Sequence, residues 1–383
     1  MQIHRVKKGE TVYSISREYG VSAQKIIEIN GLKNPDSLAV GREILIMIPT
    51  RTYTARRGDT LDTISKRFSV RKSELIKNNP ALCGGEKIYP EQVFAVKYPE
   101  KSHGIALLNG YLYKGCTISR LKLVLPYLSR LTLSECVYER RRLHKLFDSR
   151  EAVRLAKAMG KGVSLRIYSR EPYSAADFDQ KFISMATDAA RSLECDGITL
   201  STVNMLKEED FSDFLFELKK ALMEADLTLS LESNGKIDEK CALIADSLIL
   251  TEDILYNKGS SFSDVENLYK DYAKSHETTL TYADLSPFAY KKDEAIPIDA
   301  ALEYADKNGL SVSEDENGYT MSFEMNGETV TLPSLKSIKA KFDLTCELGY
   351  LGFSVDVMRL PISHLMMLSG GFELSPDYFS GGM

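Results

Sequence analysis

Tryptophan is absent from the 383 residues, and histidine occurs only five times, at isolated positions. The cysteines are scattered and form no Cys-x-x-Cys pair: Cys83, Cys116, Cys136, Cys195, Cys241 and Cys346. Because zinc sites need closely spaced cysteine or histidine ligands, we expect no metal. No nucleotide-binding motif occurs, so no cofactor is expected either. Isolated cysteines of this kind are typical of buried thiols in a reducing compartment.

Long apolar runs and an excess of basic charge are missing as well. No stretch of about 18 apolar residues occurs, so we expect no membrane span. A net charge of -5 argues against a nucleic-acid partner, whose binding needs a basic surface. The first residues lack the apolar segment and cleavage site of a secretory signal peptide, which predicts synthesis in the cytoplasm without a signal peptide.

The sequence does contain an internal repeat at its start. The stretch GETVYSISREYGVSAQKIIEIN, from Gly9, recurs as GDTLDTISKRFSVRKSELIKNN, from Gly58. Thr11 is a candidate N-cap of a first helix, and Gly31 a candidate C-terminal stop of a second. Each copy therefore predicts a strand, two helices and a second strand, with the modules at residues 1–49 and 52–98.

The repeat resembles the LysM module, on the strength of its Gly-(Glu/Asp)-Thr turn, its central Asn and its Asn-Pro loops. The resemblance implies binding of N-acetylglucosamine chains, in peptidoglycan or chitin-like oligomers, by two neighbouring loops in each copy. The implied contacts of the first copy are Gly9, Glu10, Thr11, Val12, Asp36, Ser37 and Leu38. Those of the second are Gly58, Asp59, Thr60, Leu61, Glu86, Lys87 and Ile88. An alternative is that one copy, the second above all, is only a scaffold.

Beyond a short polar linker, eight β-like runs alternate with amphipathic helical segments. This alternation predicts an α/β fold, a (β/α)8 TIM barrel over residues 103–370. The helical segment 298–308 and the hairpin signal Asn326-Gly327 indicate a small α+β insertion at about residues 296–332. We expect residues 371–383 to form a Gly- and Ser-rich tail.

The stretch DGITLSTVN, from Asp196 to Asn204, is the fourth of these runs. Together with the LysM repeats, it resembles the fourth strand of glycoside hydrolase family 18, and most of all the spore-cortex N-acetylglucosaminidases of endospore-forming bacteria. In that family the strand carries Asp-Gly-x-x-x-Asp-x-Glu, whose Glu is the general acid. The inward-facing positions here are Thr199, Ser201 and Val203, so the implied Asp and Glu are replaced by Ser201 and Val203.

These replacements predict a catalytically inactive barrel, a pseudo-hydrolase that serves as scaffold or sugar-binding lectin. The alternative is an active N-acetylglucosaminidase that uses a relocated carboxylate. Glu252 and Asp253, at the end of the sixth run, are the best substitutes, and Glu232 and Asp284 also follow strands. A third hypothesis is a structural coat protein whose LysM loops are silent. The resemblance implies a location in the spore coat or cortex, with coat or cortex proteins as further partners.

Overall fold

Two small α/β modules precede a closed barrel in the computed structural model. The described residues are 1–82, 87–174, 178–205, 211–235, 237–251, 262–285, 288–292 and 294–375. No helix within these ranges is long and apolar enough to cross a membrane.

The two modules have the same strand–helix–helix–strand order. The first consists of β1 (Gln2–Arg5), α1 (Val12–Tyr19), α2 (Ala23–Asn30) and β2 (Glu43–Ile46). The second consists of β3 (Arg51–Thr54), α3 (Leu61–Phe68), α4 (Lys72–Lys77) and β4 (Val93–Lys97), with a short 3-10 helix at Pro80–Leu82. In each module the two strands pair antiparallel. Thr11 and Thr60 cap the first helix of each copy through a reciprocal bond with Ser14 and Thr63.

The asparagine that recurs in both copies holds each module together. The Asn30 side chain donates to the carbonyls of Ile26 and Leu45 and accepts the Leu45 N–H. Asn79 makes the equivalent bonds in the second copy. Both side chains are buried. The asparagine recurs because its side chain joins the second helix of each module to the second strand.

The first seven barrel strands alternate with helices. They are β5 (Ile105–Leu112), β6 (Arg130–Glu139), which forms a hairpin with β7 (Arg142–Lys145), β8 (Gly162–Tyr168), β9 (Gly197–Ser201), β10 (Thr228–Ser233), β11 (Ser247–Leu250) and β12 (Thr281–Asp284). The helices between them are α5 (Ile118–Val124), α6 (Arg150–Ala158), α7 (Gln180–Ser192), α8 (Phe211–Glu224), α9 (Glu239–Ile244) and α10 (Phe262–Ala273), with short 3-10 helices at Leu125–Tyr127 and Thr278–Leu280.

A small α+β insertion follows the seventh strand. It consists of β13 (Phe288–Lys291), β14 (Glu294–Pro297), α11 (Ile298–Lys307), β15 (Ser313–Glu314), β16 (Thr320–Met325) and β17 (Glu328–Pro333). The strands form one antiparallel sheet in the order β14-β13-β17-β16-β15. Asn326 and Gly327 both have positive φ, as the predicted hairpin turn requires. The predicted start at about residue 296 was too late, because β13 pairs with β17, far away in sequence.

The eighth strand closes the barrel. After α12 (Leu335–Glu347), β18 (Gly352–Asp356) pairs in parallel with both β12 and β5, and β5 pairs with β6. The predicted eight-stranded barrel is thereby confirmed. Two further elements follow, α13 (Ile362–Gly371) and β19 (Glu373–Leu374), which adds to the edge of β5. Phe372 and Leu374, at the start of the predicted tail, are buried.

His364 on α13 is an unusual buried base. Its side chain is 2% exposed, and among the described residues its Nδ1 has no hydrogen-bond partner. Burial, reinforced by the nearby positive charge of Lys341, lowers its pKa from 6.5 to about 3. The folded protein therefore resists a proton that the unfolded chain accepts.

We predict that this histidine makes the fold acid-sensitive. As pH falls below about 6.5, the unfolded state gains protons first, so stability drops by about 1.4 kcal/mol per pH unit. Between pH 7 and 5, the free energy of unfolding of His364→Gln should fall by about 2 kcal/mol less than that of the wild type. Urea denaturation at both pH values measures this difference. The exposed His144→Gln serves as control, and equal slopes for wild type and His364→Gln would contradict the prediction.

Candidate functional site

A cavity of about 250 Å³ opens at the carboxyl ends of the barrel strands. This is the end of a (β/α)8 barrel where binding and catalytic groups are found. The cavity is slightly smaller than the roughly 300 Å³ at which ordinary ligand pockets begin. Its walls are aromatic or charged for the most part: Tyr111, Tyr113, Arg166, Glu232, Ile249, Thr251, Asp284, Phe288, Ser354, Asp356 and Arg359.

A buried ion pair between the third and fifth barrel strands forms one wall. Arg166 on β8 donates from Nε to Oε2 of Glu232 at 2.6 Å and from Nη2 to Oε1 at 2.5 Å. The Tyr111 hydroxyl donates to Oε2 at 2.9 Å. Glu232 is 3% exposed, and both of its oxygens accept hydrogen bonds from groups of the protein. Two parallel bonds between a guanidinium and a carboxylate are among the strongest and most directional contacts in proteins.

The pKa directions of the neighbouring groups agree with this assignment. Burial lowers the pKa of Arg166, but the charge of Glu232, its hydrogen bonds and the neighbouring Tyr113 and Tyr111 together outweigh burial, so the pKa lies well above its usual value. Burial raises the pKa of Tyr111 well above 10, and the Glu232 charge adds to that rise. Tyr111 therefore stays protonated and donates, while Arg166 stays positively charged.

A second ion pair lies on the opposite side, after the eighth strand. Asp356 Oδ2 accepts from Arg359 Nη1 at 2.6 Å, and its Oδ1 accepts the N–H groups of Met358 and Arg359. The Arg359 guanidinium lies over the rings of Tyr113 and Phe288, at 5.9 and 5.5 Å. This wall therefore presents an aromatic and cationic surface to the cavity.

The three family positions on β9 do not line the cavity. Thr199 is buried inside the barrel, where its Oγ1 lies 2.8 Å from Ser164 Oγ. Ser201 is buried at the end of the strand, opposite Glu232 in the parallel register. Because β9 ends at Ser201, Val203 lies in the turn that follows the strand and is half-buried.

Two of the proposed substitute acids are in the cavity wall, and two cannot be placed. Glu232 and Asp284 line the cavity, at the ends of β10 and β12. Glu252 and Asp253 lie outside the described residues. Arg166, which binds Glu232, was missed by the sequence analysis. The sequence of β8 could have predicted it. Alternate residues of a strand share a face, and Arg166 is the one charged residue of this strand, on the same face as Ser164.

In the first module, several predicted glycan contacts have structural roles. Glu10 accepts from His4 Nε2 at 2.8 Å and from the Lys7 N–H at 2.7 Å. Thr11 caps α1, and Val12 is fully buried. Gly9 and the loop residues Asp36 and Ser37 are exposed, and Leu38 packs in part against the core of the module. The side chains of Glu10, Thr11 and Val12 therefore stabilise the module itself.

The second module repeats this arrangement. Asp59 accepts from the Tyr53 hydroxyl at 2.6 Å and from the Arg56 N–H at 2.7 Å. Thr60 caps α3, and Leu61 is buried. Gly58 and Lys87 are exposed, Ile88 packs against the module core, and Glu86 lies outside the described residues.

Comparison with known proteins agrees with this division of the chain. The profile of the LysM domain family matches residues 4–46 and 53–97, so the chain contains two LysM domains. An endolysin of Bacillus phage B103 is 33% identical over 99 residues, which are 24% of this chain and 38% of that protein. The chain thus matches well under half of the length of this curated relative.

Two solved structures share the fold. The spore cortex-lytic enzyme SleL of Bacillus cereus is 21% identical, with a TM-score of 0.74 over 98% of this chain and 99% of that one. A glycoside hydrolase family 18 N-acetylglucosaminidase of Paenibacillus barengoltzii is 14% identical, with a TM-score of 0.53 over 68% of this chain and 99% of that one. The barrel therefore has the family 18 fold, and two LysM domains precede it.

We predict that Arg166 is required for stability as long as Glu232 is present. Arg166→Met would leave a buried carboxylate without its cation and should cost about 3–5 kcal/mol. The double variant Arg166→Met/Glu232→Met should recover most of that loss, because it removes the orphaned charge. Urea denaturation measures both variants.

The exposed pair Arg150–Asp148 supplies a matched control. Arg150→Met should change stability by less than about 1 kcal/mol, because exposed ion pairs contribute little. The account of the cavity wall is wrong if Arg166→Met is as stable as this control.

Proposed function

We propose that this protein binds the N-acetylglucosamine-containing glycan of peptidoglycan through its LysM domains and does not cleave it. The observation that carries the second part is the Arg166–Glu232 pair. In the family mechanism that the resemblance implies, a carboxylic acid protonates the glycosidic oxygen. Here the fourth strand presents the hydroxyl groups of Thr199 and Ser201, the turn after it carries Val203, and Glu232 accepts three hydrogen bonds from Arg166 and Tyr111. Loss of general acid catalysis costs about 10²–10⁴-fold in rate.

The proposed ligand follows from the LysM domains and from the relatives. An acetamido group offers one donor and one acceptor, which suit exposed loop backbone such as that near Gly9 and Gly58. One relative is named an endolysin of a Bacillus phage, and one solved structure with the same fold is named a spore cortex-lytic enzyme. We therefore place this protein on the bacterial wall or spore cortex or coat, with peptidoglycan as its partner.

The barrel cavity supports a lectin-like role better than a purely structural one. It is open and combines three aromatic rings with two ion pairs. Aromatic faces and charged hydrogen-bonding groups are the usual components of a site for a small polar ligand. Its volume of about 250 Å³ suits one small unit more than a length of chain.

A second candidate function is hydrolysis with a relocated acid. It is favoured by one observation, that Glu232, Asp284 and Asp356 all line the same cavity. A crystal structure with a bound N-acetylglucosamine tetramer separates the two functions. Hydrolysis requires a carboxylate oxygen within about 3.2 Å of a glycosidic oxygen. A sugar bound away from all three carboxylates supports a binding role.

We predict that the full-length protein sediments with purified, insoluble peptidoglycan. Retention should persist at high salt, because the LysM contacts are to backbone groups and the net charge is -5. Soluble N-acetylglucosamine oligomers should release the protein, which controls for trapping in the mesh. Failure to be retained even at low salt would favour a structural protein whose LysM loops are silent.

A further inference from the structure

The two LysM domains attach to the rest of the protein in different ways. In each domain, the loop between the second helix and the second strand is one of the two loops implied to bind the glycan. These two loops correspond closely, because both end in the same backbone turn. The Gly41 N–H donates to the Val6 carbonyl, and the Glu91 N–H donates to the Ala55 carbonyl. Both of these residues have positive φ. This match aligns Ala39 of the first loop with Tyr89 of the second.

In the first module, this loop contacts the insertion of the barrel through Ser37, Ala39 and Val40. Asp306 on α11 accepts the Ala39 N–H at 2.9 Å, and its own carbonyl accepts from Ser37 Oγ at 3.1 Å. The Val40 carbonyl accepts the Val312 N–H at 2.7 Å. Ala39 is fully buried within the apolar core of the insertion. The polar backbone groups that an acetamido group needs are therefore already occupied at these positions.

The surrounding contacts strengthen this attachment of the loop to the insertion. Arg42 and Asp306 form a buried ion pair, with side-chain exposures of 6% and 4%. A Cβ on Gly41 would lie 1.9 Å from the Val312 carbonyl oxygen, so the two backbones are in close contact. Separating a buried pair of charges without replacing the partner costs several kcal/mol. The loop of the first module is thus part of an interface within the chain.

Both modules pack their second helix against the barrel, but in the second module the loop at Lys87 and Tyr89 is exposed. The Tyr127 hydroxyl of the barrel donates to the Lys77 carbonyl at the end of α4, on the helical part of the module. In the loop, Gln92 Oε1 accepts the Tyr89 N–H, and the Tyr89 carbonyl accepts the Gln92 N–H. The Tyr89 side chain is 63% exposed, beside the predicted glycan contacts Lys87 and Ile88.

We propose that the second module is the glycan-binding one, and that Tyr89 packs its ring against a sugar ring of the glycan. The first module is an anchor that joins the insertion to the rest of the chain. An aromatic ring supplies a large, rigid apolar face with a polar hydroxyl at its edge, which matches the C–H face and hydroxyl rim of a pyranose. This inference rests on the proposed function. It gives the scaffold role to the first copy, whereas the alternative considered from the sequence gave that role to the second.

Titration of the full-length protein with an N-acetylglucosamine tetramer, followed by calorimetry, tests the role of Tyr89. Tyr89→Ala should weaken binding by about tenfold, whereas Tyr89→Phe keeps the ring and should bind within about twofold of wild type. Tyr13→Ala is the matched control, because Tyr13 is a 56% exposed tyrosine of the first module. It should bind like the wild type.

Hydrogen–deuterium exchange of the wild-type chain gives a second measurement that needs no variant. The tetramer should slow exchange in peptides that cover residues 87–92 and leave residues 36–42 unchanged. Protection confined to residues 36–42, or full binding by Tyr89→Ala, would overturn the inference while the proposed function stands. A wild-type chain that binds no tetramer in either measurement would overturn both.

Discussion

The contact between Arg166 and Glu232 determines what the barrel can do. It joins the third and fifth strands across the barrel interior, with a tyrosine hydroxyl completing the shell of the carboxylate. Burying two charges is costly unless hydrogen bonds compensate, and here each guanidinium nitrogen and both carboxylate oxygens have a partner. We propose that this same arrangement keeps Glu232 from acting as the general acid.

A second buried ion pair, between Arg42 and Asp306, gives the tandem repeat its asymmetry. The two LysM domains share their caps, their internal asparagine and their strand pairing, so the sequence repeat reflects one folding unit used twice. Both pack their second helix against the barrel, but the first also packs its loop against the barrel insertion. We propose that duplication supplies both a link within the chain and a surface toward the glycan.

Much of the fold could be predicted from the sequence, because its signals are local. The repeat, the alternation of strands and helices, and the Asn326-Gly327 turn all depend on neighbouring residues. The site could be predicted only in part, because its contacts are nonlocal: the partner of Glu232 is Arg166, in a different strand. The end of β9 is nonlocal as well, because the Thr202 N–H bonds the Glu232 carbonyl of the neighbouring strand. The early start of the insertion was missed for the same reason.

The central claim is that the barrel binds without cleaving, and glycan strands capped by borohydride reduction test it most directly. Such strands have no reducing ends at the start, so each cleavage creates a detectable new one. After prolonged incubation with equimolar protein, mass spectrometry should find the strands at their original lengths, as in a protein-free sample. Shortened strands with new reducing ends, formed by wild type and lost in Glu232→Gln, would contradict the account.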